Sequence, residues 1–400
     1  MVETRRKAHT KAAYEHEYIL RLPSELLRMI VECLEDEDRS WLASLATLSK
    51  TLMPEVEAVL YRDIEVGKCR NASIACRSVV KRPHRAVAVR KLCISLRGGT
   101  SIKQHLKRAL QALPNVFRLE LVVDDPSLFE FLLDVPFRLQ VFIAGGECYP
   151  ECFEDILASQ PSIEFLSLVF VGAGTERTRR EISRPDILPN LRSLSVAAVR
   201  YPFSLIKRAF PITHLSLSRA RHDDLAHAMK LFGGTLRSLT ALRFLDSACT
   251  DACYWPTSIF RNAHLPQLRY VDVTDFYDPT TDLFGHTDDI VFPGLGQACP
   301  ALKTLIWGVD GVVMDDLYMG TLEVLDPDAT PMEQYARTIF DALPALQRFV
   351  VYDTEEMARG ARWEPYGEVF RRAEDKSVSG PDTQLIDFLG WKGESLAEAK

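Results

Sequence analysis

Pro161-Ser-Ile163-Glu-Phe-Leu166-Ser-Leu168 is the stretch that decides the fold, because its phrase returns along the chain. An apolar residue, two polar or mixed ones, an apolar, one variable residue and an apolar follow one another, commonly starting two positions after a proline. The copies include Val89-Arg-Lys-Leu92-Cys-Ile94, Val116-Phe-Arg-Leu119-Glu-Leu121, Leu139-Gln-Val-Phe142, Leu191-Arg-Ser-Leu194-Ser-Val196 and Ile212-Thr-His-Leu215-Ser-Leu217. Leu236-Arg-Ser-Leu239, Leu268-Arg-Tyr-Val271-Asp-Val273, Leu302-Lys-Thr-Leu305-Ile-Trp307 and Leu346-Gln-Arg-Phe349-Val-Val351 continue the series. Alternation of this kind predicts strands. The first seven copies start 27, 23, 24, 28, 21 and 24 residues apart, and later steps of 32, 34 and 44 mark insertions.

Pro114, Pro161, Pro189, Pro211, Pro266, Pro300 and Pro344 precede the strands, where they stop a helix by pushing the residue before them out of the α region. The helices themselves are legible in Ile102, Leu106, Leu110 and Leu113; in Phe153, Ile156 and Leu157; in Leu225, Ala228, Met229 and Phe232; and in Met332, Ala336, Phe340 and Leu343. Helix, stop and strand at this period predict an α/β chain: a curved parallel sheet with helices on its convex side. The period and phrase resemble the leucine-rich-repeat family. The asparagine expected a few residues past the last strand leucine is absent, since Leu168 and Val196 are followed by Val-Phe-Val and Ala-Ala-Val, so an irregular solenoid is expected.

Upstream stands Leu22-Pro-Ser-Glu-Leu-Leu-Arg-Met-Ile-Val-Glu-Cys-Leu34, followed by Leu42-Ala-Ser-Leu-Ala-Thr-Leu-Ser-Lys50 and Leu60-Tyr-Arg-Asp-Ile64. Pro23 suits a first helical turn because it has no N–H to lose. Leu26, Leu27, Ile30, Val31 and Leu34 then recur at helical spacing, and acidic residues 35–38 end the element. A second helix carries Leu42, Leu45, Ala46 and Leu48, and a third, from about Pro54, carries Val56, Val59 and Leu60. Three helices in so short a span are expected not to enclose a core of their own.

These residues resemble the F-box family, from the Leu-Pro start through Leu-Ser-Lys to the closing Leu-Tyr. The tryptophan many members carry after Ser-Lys is replaced by Thr51-Leu52-Met53. The resemblance implies that Leu22, Pro23, Leu26, Leu27, Ile30, Leu45, Leu48 and Ser49 bind a Skp-type adaptor and through it a cullin, while the repeats hold a protein substrate. The expected organisation is a disordered tail over 1–19, an F-box-like helical module over 20–66, a leucine-rich-repeat-like solenoid over 67–352 and a C-terminal cap and tail over 353–400. Within the last segment the reading places a helix over 363–372 and a final apolar cluster around Leu385 and Trp391.

The 400 residues, 47% apolar, are ample for a core, and no apolar run is long enough for a membrane span or signal peptide. A cytoplasmic or nuclear location is expected; Arg5, Arg6, Lys7 and Lys11 read as a solvated tail or a nuclear address. A net charge of −7 argues against the broad basic footprint of sequence-independent nucleic-acid binding. Nine scattered cysteines suit buried thiols, since the Cys148/Cys152 and Cys249/Cys253 pairs lack accompanying metal spacing. No P-loop, His-Glu-x-x-His, Gly-x-Ser-x-Gly or kinase set occurs, so neither an enzyme nor a cofactor is expected.

Substrate contact is expected where the strand residues that face away from the helices meet the insertion 272–289. That insertion combines six acids with Phe276, Tyr277 and Phe284. Asp272, Asp275, Phe276, Tyr277, Asp278, Phe284 and Tyr352 are the candidates for a basic or mixed client; the alternative is a solvated loop with its aromatics tucked under the sheet. The rival reading of the whole chain is a repeat scaffold without a ligase role, its N-terminal helices serving as a cap.

Overall fold

The computed structural model describes residues 22–34, 39–48, 50, 52–96, 102–146, 152–170, 187–197, 212–218, 241–247, 264–275, 292–309, 331–353, 366–372 and 378–385. The chain falls into two compact units, Met1–Gln160 and Pro161–Lys400.

The first unit opens with α1 (Ser24–Cys33), α2 (Arg39–Leu48) and α3 (Met53–Leu60), with Pro23 as the extended residue before α1 and Pro54 inside the first turn of α3. Contrary to the expectation that they could not, these helices close a small core. Leu27, Val31, Leu42, Leu52, Val56 and Val59 are buried together, with Leu22, Leu34, Leu45, Ala46 and Leu60 packed against them. Six aliphatic side chains suffice because the module does not stand alone: Tyr61 to Val66 continues directly into the sheet as β1 (Asp63–Val66). The sequence treated Leu60-Tyr61 as the end of a module; it is the bridge to a strand too short to show alternation.

After β1 come α4 (Cys69–Lys81), α5 (Pro83–Ala88), β2 (Lys91–Leu96), α6 (Lys103–Ala112), β3 (Arg118–Val123), a 3-10 segment (Pro126–Asp134), β4 (Val141–Gly146) and α7 (Phe153–Ser159). The four strands pair in parallel, β1 on β2, β2 on β3 and β3 on β4. Leu92, Ile94 and Leu96 and their register partners Leu119, Leu121 and Val123 are buried, as are the predicted helical residues Ile102, Leu106, Leu110 and Leu113. The shortest unit-1 step, 23 residues, holds the 3-10 segment instead of an α-helix. Asp125 starts it by accepting from Ser127 N and Oγ.

Among the described residues the second unit carries seven parallel strands: β5 (Phe165–Phe170), β6 (Ser193–Ala197), β7 (His214–Ser218), β8 (Ala241–Ser247), β9 (Tyr270–Asp275), β10 (Thr304–Val309) and β11 (Arg348–Asp353). Among the described helices, α8 (Phe292–Ala298) precedes β10 and α9 (Pro331–Ala342) precedes β11. Every predicted strand starts two residues after the first apolar position, with one exception. β8 begins at Ala241 and pairs Leu242 with Leu215 and Phe244 with Leu217, so the repeat phrase there is Leu239-Thr-Ala-Leu242-Arg-Phe244. Leu236 and Leu239 mimic the same spacing three residues early. Shifting the start to 239 makes the flanking steps 27 and 29 and regularises the series. The expected C-terminal helix is instead β12 (Tyr366–Arg372), antiparallel to β11, with β13 (Val378–Leu385) antiparallel to it. Gly367 beside Val369 and Phe370 favours the extended form.

The prolines do more than stop helices. Leu188-Pro-Asn-Leu191, Leu265-Pro-Gln-Leu268, Cys299-Pro-Ala-Leu302 and Leu343-Pro-Ala-Leu346 are turns closed by a bond of 2.9–3.1 Å from the fourth N–H to the first carbonyl. Proline at the second position pre-sets φ for this turn. Just beyond, one carbonyl per repeat accepts two N–H groups of the next: Glu164 O from Arg192 and Ser193, Arg269 O from Lys303 and Thr304, and Lys303 O from Gln347 and Arg348. The missing strand-end asparagine has replacements. Asn115 Nδ2 donates to Val87 O and Asn190 Nδ2 to Pro161 O at equivalent turn positions. The buried Gln160 side chain accepts from Leu139 N and donates to Phe137 O.

Candidate docking face on the N-terminal helices

Helix α1 is apolar on two sides. Leu27 and Val31 point into the three-helix core, whereas Leu26, Met29 and Ile30 remain 45%, 59% and 44% exposed. Trp41, in the first turn of α2, is 69% exposed. Leucine, isoleucine and methionine exposed along one helix, with a tryptophan exposed on the next, leave apolar surface in water.

Of the residues singled out from the sequence, Leu26, Ile30 and Pro23 are exposed, Leu22 and Leu45 are partly covered, and Leu27 is buried in the module's own core. The side chain of Leu48, and Ser49 entirely, lie outside the described residues. The expectation that Leu27 faces a partner is corrected: on a helix, positions one apart point about 100° away from each other, so Leu26 and Leu27 cannot share a surface. Met29 and Trp41 were missed. Met29 follows from Leu26 by the spacing of three that defines a helix face, and a tryptophan beside an acidic run was itself a signal.

A charge cluster ties α3 to the segment after it. Glu57 is only 5% exposed. Its carboxylate accepts from Arg85 Nε (2.9 Å) and Nη2, from Arg82 Nη1 (2.8 Å) and from His84 Nε2 (2.5 Å). Arg85 Nη1 also donates to Ser78 Oγ, which lies 2.7 Å from Tyr61 OH, and the Arg85 guanidinium sits 4.6 Å over the Tyr61 ring. Chiefly through the Arg85 bonds, and against the opposing pull of burial, the Glu57 carboxyl is held down to about 2. The signal in the sequence was a glutamate between the core residues Val56 and Val59 of an apolar helix, followed by Arg-Pro-His-Arg at 82–85.

The expected substrate face differs from its sequence reading. Asp272 is fully buried, and Ser167, Ser216, Ile306 and Val350 are buried as well, on strands whose residues facing away from the helices were expected to meet a substrate. Neighbours of opposite pleat parity, Val271, Leu305 and Phe349, are buried too, so β9, β10 and β11 are covered on both faces, as parallel strands commonly are. A partner therefore does not reach Asp272 in this conformation. Asp275 and Tyr352 lie in β9 and β11, their side chains outside the described residues together with Phe276, Tyr277, Asp278 and Phe284.

Among the described residues no group of three His, Cys, Asp or Glu side chains could hold a metal ion. None of the described helices is long and apolar enough to cross a membrane.

No family model matches the chain, and no curated protein matches it. Among solved structures, the leucine-rich repeat-containing protein LegL7 from Legionella pneumophila is similar over 73% of this chain and 83% of its own, with a TM-score of 0.39 and 14% identity.

Proposed function

We propose that this chain is the substrate-recognition subunit of a Skp–cullin–F-box ubiquitin ligase, working in the cytoplasm or nucleus, with α1 and α2 docking the adaptor and the repeats holding a protein client. It carries no chemistry of its own on this reading and acts by positioning. The exposed Leu26, Met29, Ile30 and Trp41 beside a core that does not need them are the supporting observation. Burying aliphatic side chains of this size contributes about 1.5–3 kcal/mol each before association costs, which themselves consume roughly 4–15 kcal/mol. Four anchors therefore suffice only with further rim contacts, for which the partly exposed Leu22 and Leu45 are the candidates.

For the client, Asp275, Phe276, Tyr277, Asp278, Phe284 and Tyr352 remain the candidates, and a basic or mixed segment is the matching chemistry. The second reading, a repeat scaffold with a helical cap and no ligase role, is favoured by one observation: Leu27 and Val31 are used up inside the module.

Affinity capture of the tagged full chain from its native cells, followed by mass spectrometry, separates them. Adaptor and cullin recovered together, and lost from Leu26→Asp/Ile30→Asp while circular dichroism and melting are unchanged, is the expected result. Equal recovery with that variant, or no adaptor with the wild-type chain, overturns the ligase reading and leaves the scaffold.

A further inference from the structure

Between Glu65 and Glu120 the chain contains no aspartate or glutamate and thirteen lysines and arginines. In a protein of 48 basic and 55 acidic residues this leaves 35 against 55 elsewhere, so the positive charge is concentrated in one segment. The net charge of the whole chain conceals it.

The fold gathers this segment into a surface. Helix α4 packs against α6, and Ser73 Oγ lies 3.2 Å from His105 Nδ1 where the two meet. Ala72, Cys76 and Val79 turn inward from α4, which leaves Arg70, Ile74, Arg77 and Lys81 exposed at spacings of four, three and four, a single stripe along the outer side. Lys107 and Arg108 are exposed on α6. Other cations of the segment already have a carboxylate partner: Arg82 and Arg85 share Glu57, Lys91 pairs with Asp63 and Lys103 with Asp125. Among the described residues no carboxylate pairs with Arg70, Arg77, Lys81, Lys107 or Arg108. Helices with cations on the outer side and no acids among them repel themselves. That cost is offset when something anionic binds.

We propose that the outer face of α4 and α6 is a docking surface for an acidic segment of another protein. Three observations choose a polypeptide over the other polyanions. The stripe is not purely charged, because Ile74 stands exposed between Arg70 and Arg77, which fits a segment mixing acids with apolar side chains. Helices α4 and α6 contain no phenylalanine, tyrosine or tryptophan on which an unpaired base could stack, and their one imidazole, His105, is turned to Ser73 where the helices meet. The remainder of the chain carries twenty more acids than bases, which opposes a duplex of dense, extended negative charge. Arginine forks bind carboxylates in bidentate fashion, and an acidic segment lying along Arg70, Arg77 and Lys81 meets all three from one side. This inference stands whether or not α1 and α2 dock an adaptor.

The test uses the full chain and a fluorescein-labelled twelve-residue peptide of alternating Glu-Asp pairs and leucines, read by fluorescence anisotropy at 50 and 200 mM salt. The expected result is saturable binding that weakens with salt and falls by about tenfold or more in Arg70→Gln/Arg77→Gln/Lys81→Gln. A control, Arg192→Gln/Arg269→Gln/Lys303→Gln, changes exposed cations of the second unit and should leave binding unchanged. Binding equal in wild type and the first variant, or lost equally in both variants, overturns the proposal. So does tighter binding of a twelve-nucleotide single strand, or of vesicles containing phosphatidylserine, than of the peptide.

Discussion

Replacing Glu57 by glutamine keeps the side-chain shape and removes the one negative charge on which Arg82, His84 and Arg85 converge. In the folded chain this carboxyl titrates at about 2 in place of its ordinary 4.5, an advantage of roughly 3 kcal/mol for the ionised folded form. Arg82 and His84 are nearly half exposed, so water screens their share and Arg85, far more covered, accounts for most of it. Glu57→Gln should therefore cost the first unit about 2–4 kcal/mol at pH 7, within the range for breaking a buried pair. A depressed carboxyl stabilises the fold fully above its unfolded value and loses that contribution as pH falls through its folded value. The wild-type advantage over Glu57→Gln should thus be constant above about pH 5, shrink below 4.5 and vanish near 2. Urea unfolding of both proteins at a series of pH values gives the difference, and hydrogen exchange in peptides from α3, α4 and α5 locates it. A loss below about 1 kcal/mol, or a difference independent of pH between 4.5 and 2, refutes the idea that this cluster clamps α3 to α4 and α5.

Gly146, with φ of 158°, ends β4 so close to β3 that a Cβ there would lie 2.1 Å from Val123 O, which no rotamer can relieve. Gly146→Ala should cost about 2–4 kcal/mol, seen as a lower melting temperature; an unchanged melt would mean the strands part there freely. Burial first, and then the charges of Glu120 and Glu65, push the Cys93 thiol up to about 12, while burial lifts Cys76 to about 11 and Cys299 to about 12. Iodoacetamide at pH 8 should modify the exposed Cys33 at least about a hundredfold faster than these three, as mapped by mass spectrometry. Equal labelling of Cys93 and Cys33 would contradict the burial.

Much of the fold was legible because it repeats. A strand phrase and a proline turn recurring at a near-constant interval average out local ambiguity, so nine of ten predicted strands start two residues after their first apolar position. The slip at Leu236 shows the limit: two overlapping apolar pairs satisfy the same pattern, and only pairing with Leu215 and Leu217 chooses between them. β1 and β12 were illegible for another reason, since four residues show no period and a strand at the end of a series takes its form from its neighbour.

By itself the sequence determined the parallel strand series, the three short helices, and the alternation that buries Leu92, Ile94, Leu119 and Leu121, since these depend on local period and hydrophobicity. Only the tertiary structure decided that Leu27 is inside while Leu26 is outside, that Asp272 is sealed between covered faces, that Glu57 reaches cations 25 to 28 residues away, and that α4, with its exposed Arg70, Arg77 and Lys81, packs against α6. Burial and charge proximity arise from which elements lie side by side, and no local stretch of chain contains that information.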